Sequence, residues 1–260
     1  HGLASDALTW EEMITALRSD PNIAARYQIW VYQYPTGIPY VRSAADLRKE
    51  LLKTRMLLDP ANSDPAFDQT VLVGHSMGGI IARLQVSYSD DKLWCAVSDA
   101  PLSAVFDDGP LPDPLVSALL FEPVPYVRNV VFIATPQHGS NWTESPVGKL
   151  GRWLIEVPKQ VEEQSRGLIR GNPGLFRNPV SRPPTSIDHL FPGNSIMQAT
   201  SRLRRGNGPE SLRGNSMNWY PRIAVQDIPS WEPKWGYALM VDLIKWASTN
   251  APAWNTTNIF

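Results

Sequence analysis

The chain has 260 residues, 43% of them hydrophobic and 19% charged, enough for one globular domain with a sizeable core. Its 24 basic and 25 acidic residues leave a formal net charge of -1, so no field of one sign is offered to nucleic acid. The lone Cys95 excludes an intrachain disulfide framework and a cysteine zinc site, and no apolar run reaches the ~18 residues of a membrane span.

The chain opens at His1-Gly2 with neither a methionine nor a leading strand, which reads as an α/β sheet lacking its N-terminal strands. Thr9-Trp10-Glu11-Glu12 fits a capping box, with Met13, Ile14 and Leu17 as the apolar face of a helix over 9–18. Asp20-Pro21-Asn22 marks a turn. Tyr27 to Tyr32 is aromatic and β-branched and predicts a strand, closed by Pro35-Thr36-Gly37. A second helix is expected over Ser43 to Leu58. Val71-Leu72-Val73 has the wholly apolar character of a strand inside a parallel sheet, and a helical segment is read from Ile80 to Ser89. Asp113-Pro114 opens a short helix to Leu120, because an acidic cap followed by proline suits a first turn. Val130 to Ala134 is another buried strand.

Beyond Ser140 the texture changes. Proline, glycine and arginine interrupt short amphipathic pieces such as Leu150 to Val157, so residues of about 141–200 read as a lid-like excursion. Arg202 to Pro209 is basic and loop-like. Residues 219–260 then hold five of the ten tryptophans, with a strand expected over Tyr220 to Val225 and a helix over Gly236 to Ala247. The composition divides the chain into an α/β core, 1–201, and an atypical C-terminal segment, 202–260. Alternating strands and helices give the α/β class with a mainly parallel sheet flanked by helices.

The stretch that names a chemistry is Thr70-Val71-Leu72-Val73-Gly74-His75-Ser76-Met77-Gly78-Gly79. An apolar strand delivers a serine flanked by glycines two positions away, and a helix follows. That is the context of a nucleophile elbow. Ser76 is the candidate nucleophile and the Met77 N–H the candidate oxyanion donor. A serine hydroxyl also needs a base, and the base needs an acid. There are only four histidines: His1, His75, His138 and His189. His75 lies inside the elbow, where its side chain is expected to turn away from Ser76. His138 follows a strand at its carboxyl end, and His189 has Asp188 beside it; either is a tentative base. Asp227, at the end of a late strand, is the tentative acid. No dinucleotide, phosphate-loop or zinc-protease pattern occurs, so no cofactor or metal is called for.

His1-Gly2-Leu3, the segment Tyr27 to Tyr34 with Pro35-Thr36-Gly37, the elbow, Phe132 to Ser140 and Ser186-Ile187-Asp188-His189-Leu190 together resemble α/β-hydrolases of the lipase/esterase type, close to bacterial serine hydrolases related to triacylglycerol lipases. The resemblance covers roughly residues 1–200. It implies an α/β-hydrolase fold, a Ser76 acyl-enzyme on small-molecule esters or lipids, and an oxyanion hole from the backbone N–H groups of Leu3 and Met77. Such proteins carry the acid after a late strand and the histidine near the C-terminus. Here no histidine follows position 189. The alternative expectation is a catalytically silent chain of this fold, or an incomplete or frame-shifted product whose frame changes near Arg202.

Overall fold

The computed structural model describes residues 1–102, 113–140, 163, 176–177, 184–206, 222–223 and 256–259. Its centre is a parallel sheet. Strand β1 (Thr70–His75) pairs with β3 (Val127–Ile133), β3 with β6 (Thr256–Ile259), and β6 with β5 (Arg222–Ile223), giving the order β1-β3-β6-β5. A separate two-stranded ribbon joins β2 (Ser87–Tyr88) antiparallel to β4 (Arg204–Arg205).

Side chains alternate across a strand, and β1 and β3 are covered on both faces. Val71, Val73, Val131 and Ile133 point to one side. There they meet Met13 and Leu17 of α1 (Glu11–Ser19) and Ile23 of α2 (Pro21–Ala24). Leu72, Val130 and Phe132 point to the other, against Leu51 of α3 (Tyr40–Leu58) and Ala82 of α4 (Met77–Leu84). Within 71–73 and 130–133 the parity of the residue number decides the side, which is why these stretches read as unbroken apolar runs. A further core joins α3 and α4 to α5 (Lys92–Cys95), α6 (Asp113–Leu119), α7 (Ser186–Leu190) and α8 (Ser195–Ser201), around the fully buried Tyr40, Met77, Leu84 and Met197.

Several expectations change. The capping box at Thr9 does not form: Asp6 caps a 3₁₀ turn, Ala7–Trp10, and α1 starts at Glu11 with no side-chain cap. The turn at Asp20 is itself a helix start, since the Asp20 carboxylate accepts from the Asn22 and Ile23 amides at 2.9 and 3.3 Å. The strand expected over 27–32 does not form: residues 27–34 have no regular secondary structure and belong to no sheet ladder. The helix after Ser76 begins at Met77 and stops at Leu84. Beyond that point the Gln85 and Val86 carbonyls accept from Val124 and Gly206, so they are taken by partners outside any helix. The helix expected from Ser43 begins at Tyr40 behind Pro39. Loop-like Arg204-Arg205 forms β4, and Thr256–Ile259, where no strand was expected, lies between β3 and β5. The amphipathic piece 150–157 and the helix expected over 236–247 lie outside the described residues, as does most of the lid-like stretch.

The long helix α3 is tied down by two buried arginines. The Arg48 guanidinium donates to the carbonyls of Leu84 and Ser117, both at 3.2 Å, and lies 3.9 Å from the Phe121 ring centre. It thereby caps the end of α4, where a cation is favoured by the helix dipole. Arg55 pairs with Asp59 at 3.1 Å and with Asp68 at 2.9 Å.

Candidate active site

Ser76 sits between the end of β1 and the start of α4 with φ 52° and ψ −123°. A positive φ at a residue bearing a Cβ costs on the order of 1–3 kcal/mol and must be held by its surroundings. Here the Ser76 amide donates to the Ile133 carbonyl of the neighbouring strand at 2.8 Å. The Ser76 carbonyl accepts from the Gly79 amide at 3.0 Å. Glycine is needed on both sides. A Cβ on Gly74 would lie 2.5 Å from the Gly78 carbonyl oxygen, and one on Gly79 would lie 1.8 Å from Thr135 Oγ1. The turn is therefore clamped against β1 and against the end of β3. Ser76 remains half-buried, open enough to be reached.

The chain start packs onto this turn. A Cβ on Gly2 would meet Ser76 Cβ at 3.1 Å, and one on Gly78 would meet the His1 carbonyl oxygen at 2.6 Å. His1 is held by Tyr34. Its ring stacks on the Tyr34 ring at 4.1 Å, its Nε2 accepts from the Tyr34 amide at 3.4 Å, and its carbonyl accepts from the Tyr34 hydroxyl. Nδ1 then carries the proton and donates to the Gly2 carbonyl at 3.1 Å. Buried and engaged at both nitrogens, the His1 ring fixes the loop. Leu3 follows it, and Met77 opens α4, so its N–H is among the helix-opening donors that have no partner inside the helix. Tyr34 and Thr135 lie in segments that carry the family resemblance, but the sequence assigns neither a role of its own. The double glycine was the one signal that something approaches closely there.

The four remaining candidates separate. His75 is half-buried beside Gly2, and its buried Nδ1 finds no hydrogen-bond partner among the described residues. Burial lowers its pKa. His138 is exposed on the turn that follows β3, at the carboxyl end of the sheet, where open α/β sheets place their sites. Gly139 in that turn has φ 87°, and the Ser140 amide donates to the Leu190 carbonyl at 2.9 Å, docking the turn on α7. His189 is buried on α7, edge-on to Tyr40 at 5.6 Å. Burial pulls its pKa down to about 4, against a weaker upward pull from Asp188. The Asp188 carboxylate is spent on the capping box of α7, accepting from the Thr185 amide and hydroxyl at 2.9 and 2.8 Å. The Asp188–His189 neighbourhood is thus not a dyad. Asp227 lies outside the described residues. Among the described residues no group of three or more metal-ligating side chains gathers, and no helix is long and apolar enough to cross a membrane.

A serine held at positive φ between a parallel strand and a helix, with β1 and β3 covered on both faces, is an α/β-hydrolase arrangement. The family model described as "Alpha/beta hydrolase family" matches residues 1–254, and the chain belongs to that family. Membership supports hydrolase chemistry on a small-molecule substrate. No curated protein and no solved structure gives a significant match.

Proposed function

We propose that this chain hydrolyses carboxylic esters, soluble or lipid, through a Ser76 acyl-enzyme. The observation that carries the reading is the Ser76 backbone, φ 52° and ψ −123°, at the carboxyl end of β1. Ser76 Oγ attacks the ester carbonyl carbon while a base takes its proton. The carbonyl oxygen becomes an oxyanion that accepts hydrogen bonds from the Leu3 and Met77 N–H groups, whose two loops are held together where Gly2 packs on Ser76 and Gly78 on the His1 backbone. The alcohol leaves with the proton. Water then attacks the acyl-enzyme, returning its proton through the same base and freeing Ser76. We take His138 as that base, because it is exposed at the carboxyl end of the sheet, and Asp227 as the acid. His189 is a poor choice: an imidazole with pKa about 4 holds a proton weakly at neutral pH.

One observation favours a second reading, a catalytically silent chain of this fold. His189 and Asp188 are both committed to packing and capping. A fluorophosphonate probe, which reports an activated serine, separates the two. Active chemistry predicts labelling that disappears in Ser76→Ala and falls by about 10⁴ in His138→Gln, as for loss of a triad member. Ester hydrolysis should fall in parallel. Folded wild-type protein that takes no label defeats the ester-hydrolase reading. Labelling unchanged in His138→Gln removes His138 as the base.

A further inference from the structure

The turn that carries His138 is fastened to the helix that follows Ser76. β3 ends at Ile133, and the next residue, Ala134, has φ 45°. A positive φ at a residue bearing a Cβ persists only where the surroundings over-determine it. Ala134 itself is exposed, and the restraint comes from the residues after it. Three of them dock. Thr135 packs so closely on Gly79 that an added Cβ would lie 1.8 Å from its Oγ1. Gln137 is buried, and its Oε1 accepts from Arg83 Nη1 at 2.9 Å. The Ser140 amide donates to the Leu190 carbonyl at 2.9 Å. His138 lies between the second and third of these points.

Gly79 and Arg83 are four residues apart on α4, so they lie on one face, one turn apart. Residues 135 and 137 are therefore seated on a single face of the helix whose N-cap is Ser76. That face sets where the turn stands relative to the nucleophile. The Arg83 side chain is itself held at two points, because Nη2 donates to the Ser201 carbonyl at the end of α8, at 3.0 Å. A planar fork spans two fixed acceptors in one pose, which a single ammonium does not do.

We propose that Arg83 is a positioning residue, acting through Gln137 to hold the His138 turn in register with Ser76. This rests on the reading of His138 as the base. Arg83 does no chemistry in this role; it fixes the distance the proton crosses from Ser76 Oγ to the His138 ring.

Fluorophosphonate labelling and amide hydrogen–deuterium exchange, read together in Arg83→Met, Gln137→Leu and Gln137→Glu, test the tether. Displacing a catalytic group by about 1 Å costs on the order of a hundredfold, so Arg83→Met and Gln137→Leu should each slow labelling about 10- to 100-fold. Gln137→Glu keeps an oxygen for Arg83 and should label within about threefold of the wild type. In the two slow variants the Gln137, Gly139 and Ser140 amides should exchange at least about tenfold faster. The Ser76 amide, bonded to the Ile133 carbonyl, should not change. In a His138→Gln background Arg83→Met should slow labelling no further, because the group it positions is gone. Gln137→Leu leaves Arg83 and its bond to Ser201 in place, so it separates loss of the tether from loss of the fold. Unchanged exchange in the turn overturns the proposal. So does a loss of labelling that is as large in the His138→Gln background, or that Gln137→Glu shares. A wild-type chain that takes no label defeats the ester-hydrolase reading instead. Faster exchange of residues 137–140 in Gln137→Leu then still supports the tether, and its absence still overturns it.

Discussion

The tightest contact around the elbow is between Gly79 and Thr135, and Gly79→Ala tests whether that contact holds Ser76 in place. The added Cβ would fall 1.8 Å from Thr135 Oγ1, 2.7 Å from its Cγ2 and 2.8 Å from its Cβ, against the 3.4 Å at which ordinary contact begins. Thr135 is buried, so its side chain cannot swing into solvent. Either α4 or the end of β3 must move by well over an ångström. Overpacking of this kind costs on the order of 1–3 kcal/mol, and misplacing a nucleophile by about 1 Å costs about a hundredfold in rate. Thr135→Ala removes the two closer atoms and leaves the Thr135 Cβ contact at 2.8 Å, which a shift of a few tenths of an ångström relieves. Urea unfolding should therefore show Gly79→Ala destabilised by about 2 kcal/mol, and the double mutant recovering about 1 kcal/mol of that relative to additivity. Fluorophosphonate labelling, if the wild type shows it, should fall and recover in step. A Gly79→Ala protein as stable as wild type, or a double mutant with purely additive effects, would refute the clamp.

Acid should weaken the fold through His189. Its pKa lies at about 4 in the folded chain against 6.5 when free, so the unfolded chain binds the proton first. This contribution is complete above pH 6.5 and is lost as pH falls towards 4, about 3 kcal/mol in all; urea midpoints of wild type and His189→Gln should converge over that window. Arg55→Ala strands the buried Asp59, whose side chain is 4% exposed, and should cost about 3–5 kcal/mol. Arg55→Met with Asp59→Asn should cost distinctly less in the same chemical-denaturation assay. Gly139→Ala places a Cβ 2.7 Å from the Leu190 carbonyl oxygen at φ 87°. It should free the 136–140 turn from α7, read as faster exchange of the Ser140 amide, with a loss of about 1–2 kcal/mol.

The central strands were legible because their burial is unconditional. Val71-Leu72-Val73 and Val130 to Ile133 are apolar at every position, and the sheet buries both parities. Segment 27–34 has equally strong local character, yet local character does not supply a ladder partner; pairing is decided by what stands beside a strand. The reverse holds for β6. Thr256-Thr257-Asn258-Ile259 is too short and too polar to show a period. Its strand identity rests on parallel pairing with Val130 to Ile133, a contact between residues far apart in sequence. The overlong helix after Ser76 failed for a similar reason. Nothing in Gln85-Val86-Ser87 forbids another helical turn, but their carbonyls and side chains are claimed by Val124, Gly206 and Arg83.

At the site, spacing carried information where one residue type alone can fit. Gly74, Gly78 and Gly79 are forced by approaches of 2.5, 2.6 and 1.8 Å, so the motif was a statement about backbone contact before it was one about catalysis. Histidines carry no such constraint, and the two tentative bases looked alike in sequence. Asp188 beside His189 suggested a pair, but adjacent residues on a helix do not face each other. The carboxylate turns back to cap Thr185 while the ring is buried against Tyr40. His1 makes the same point from the other side. A histidine near the nucleophile invites a catalytic role, yet stacking on Tyr34 and bonds at both ring nitrogens turn it into the peg that seats Gly2 on Ser76. Replacing His1 by an apolar residue of similar size should therefore disturb the position of Leu3 rather than the supply of protons. The expected signature is a labelling rate that falls at every pH, with the pH midpoint of labelling unchanged.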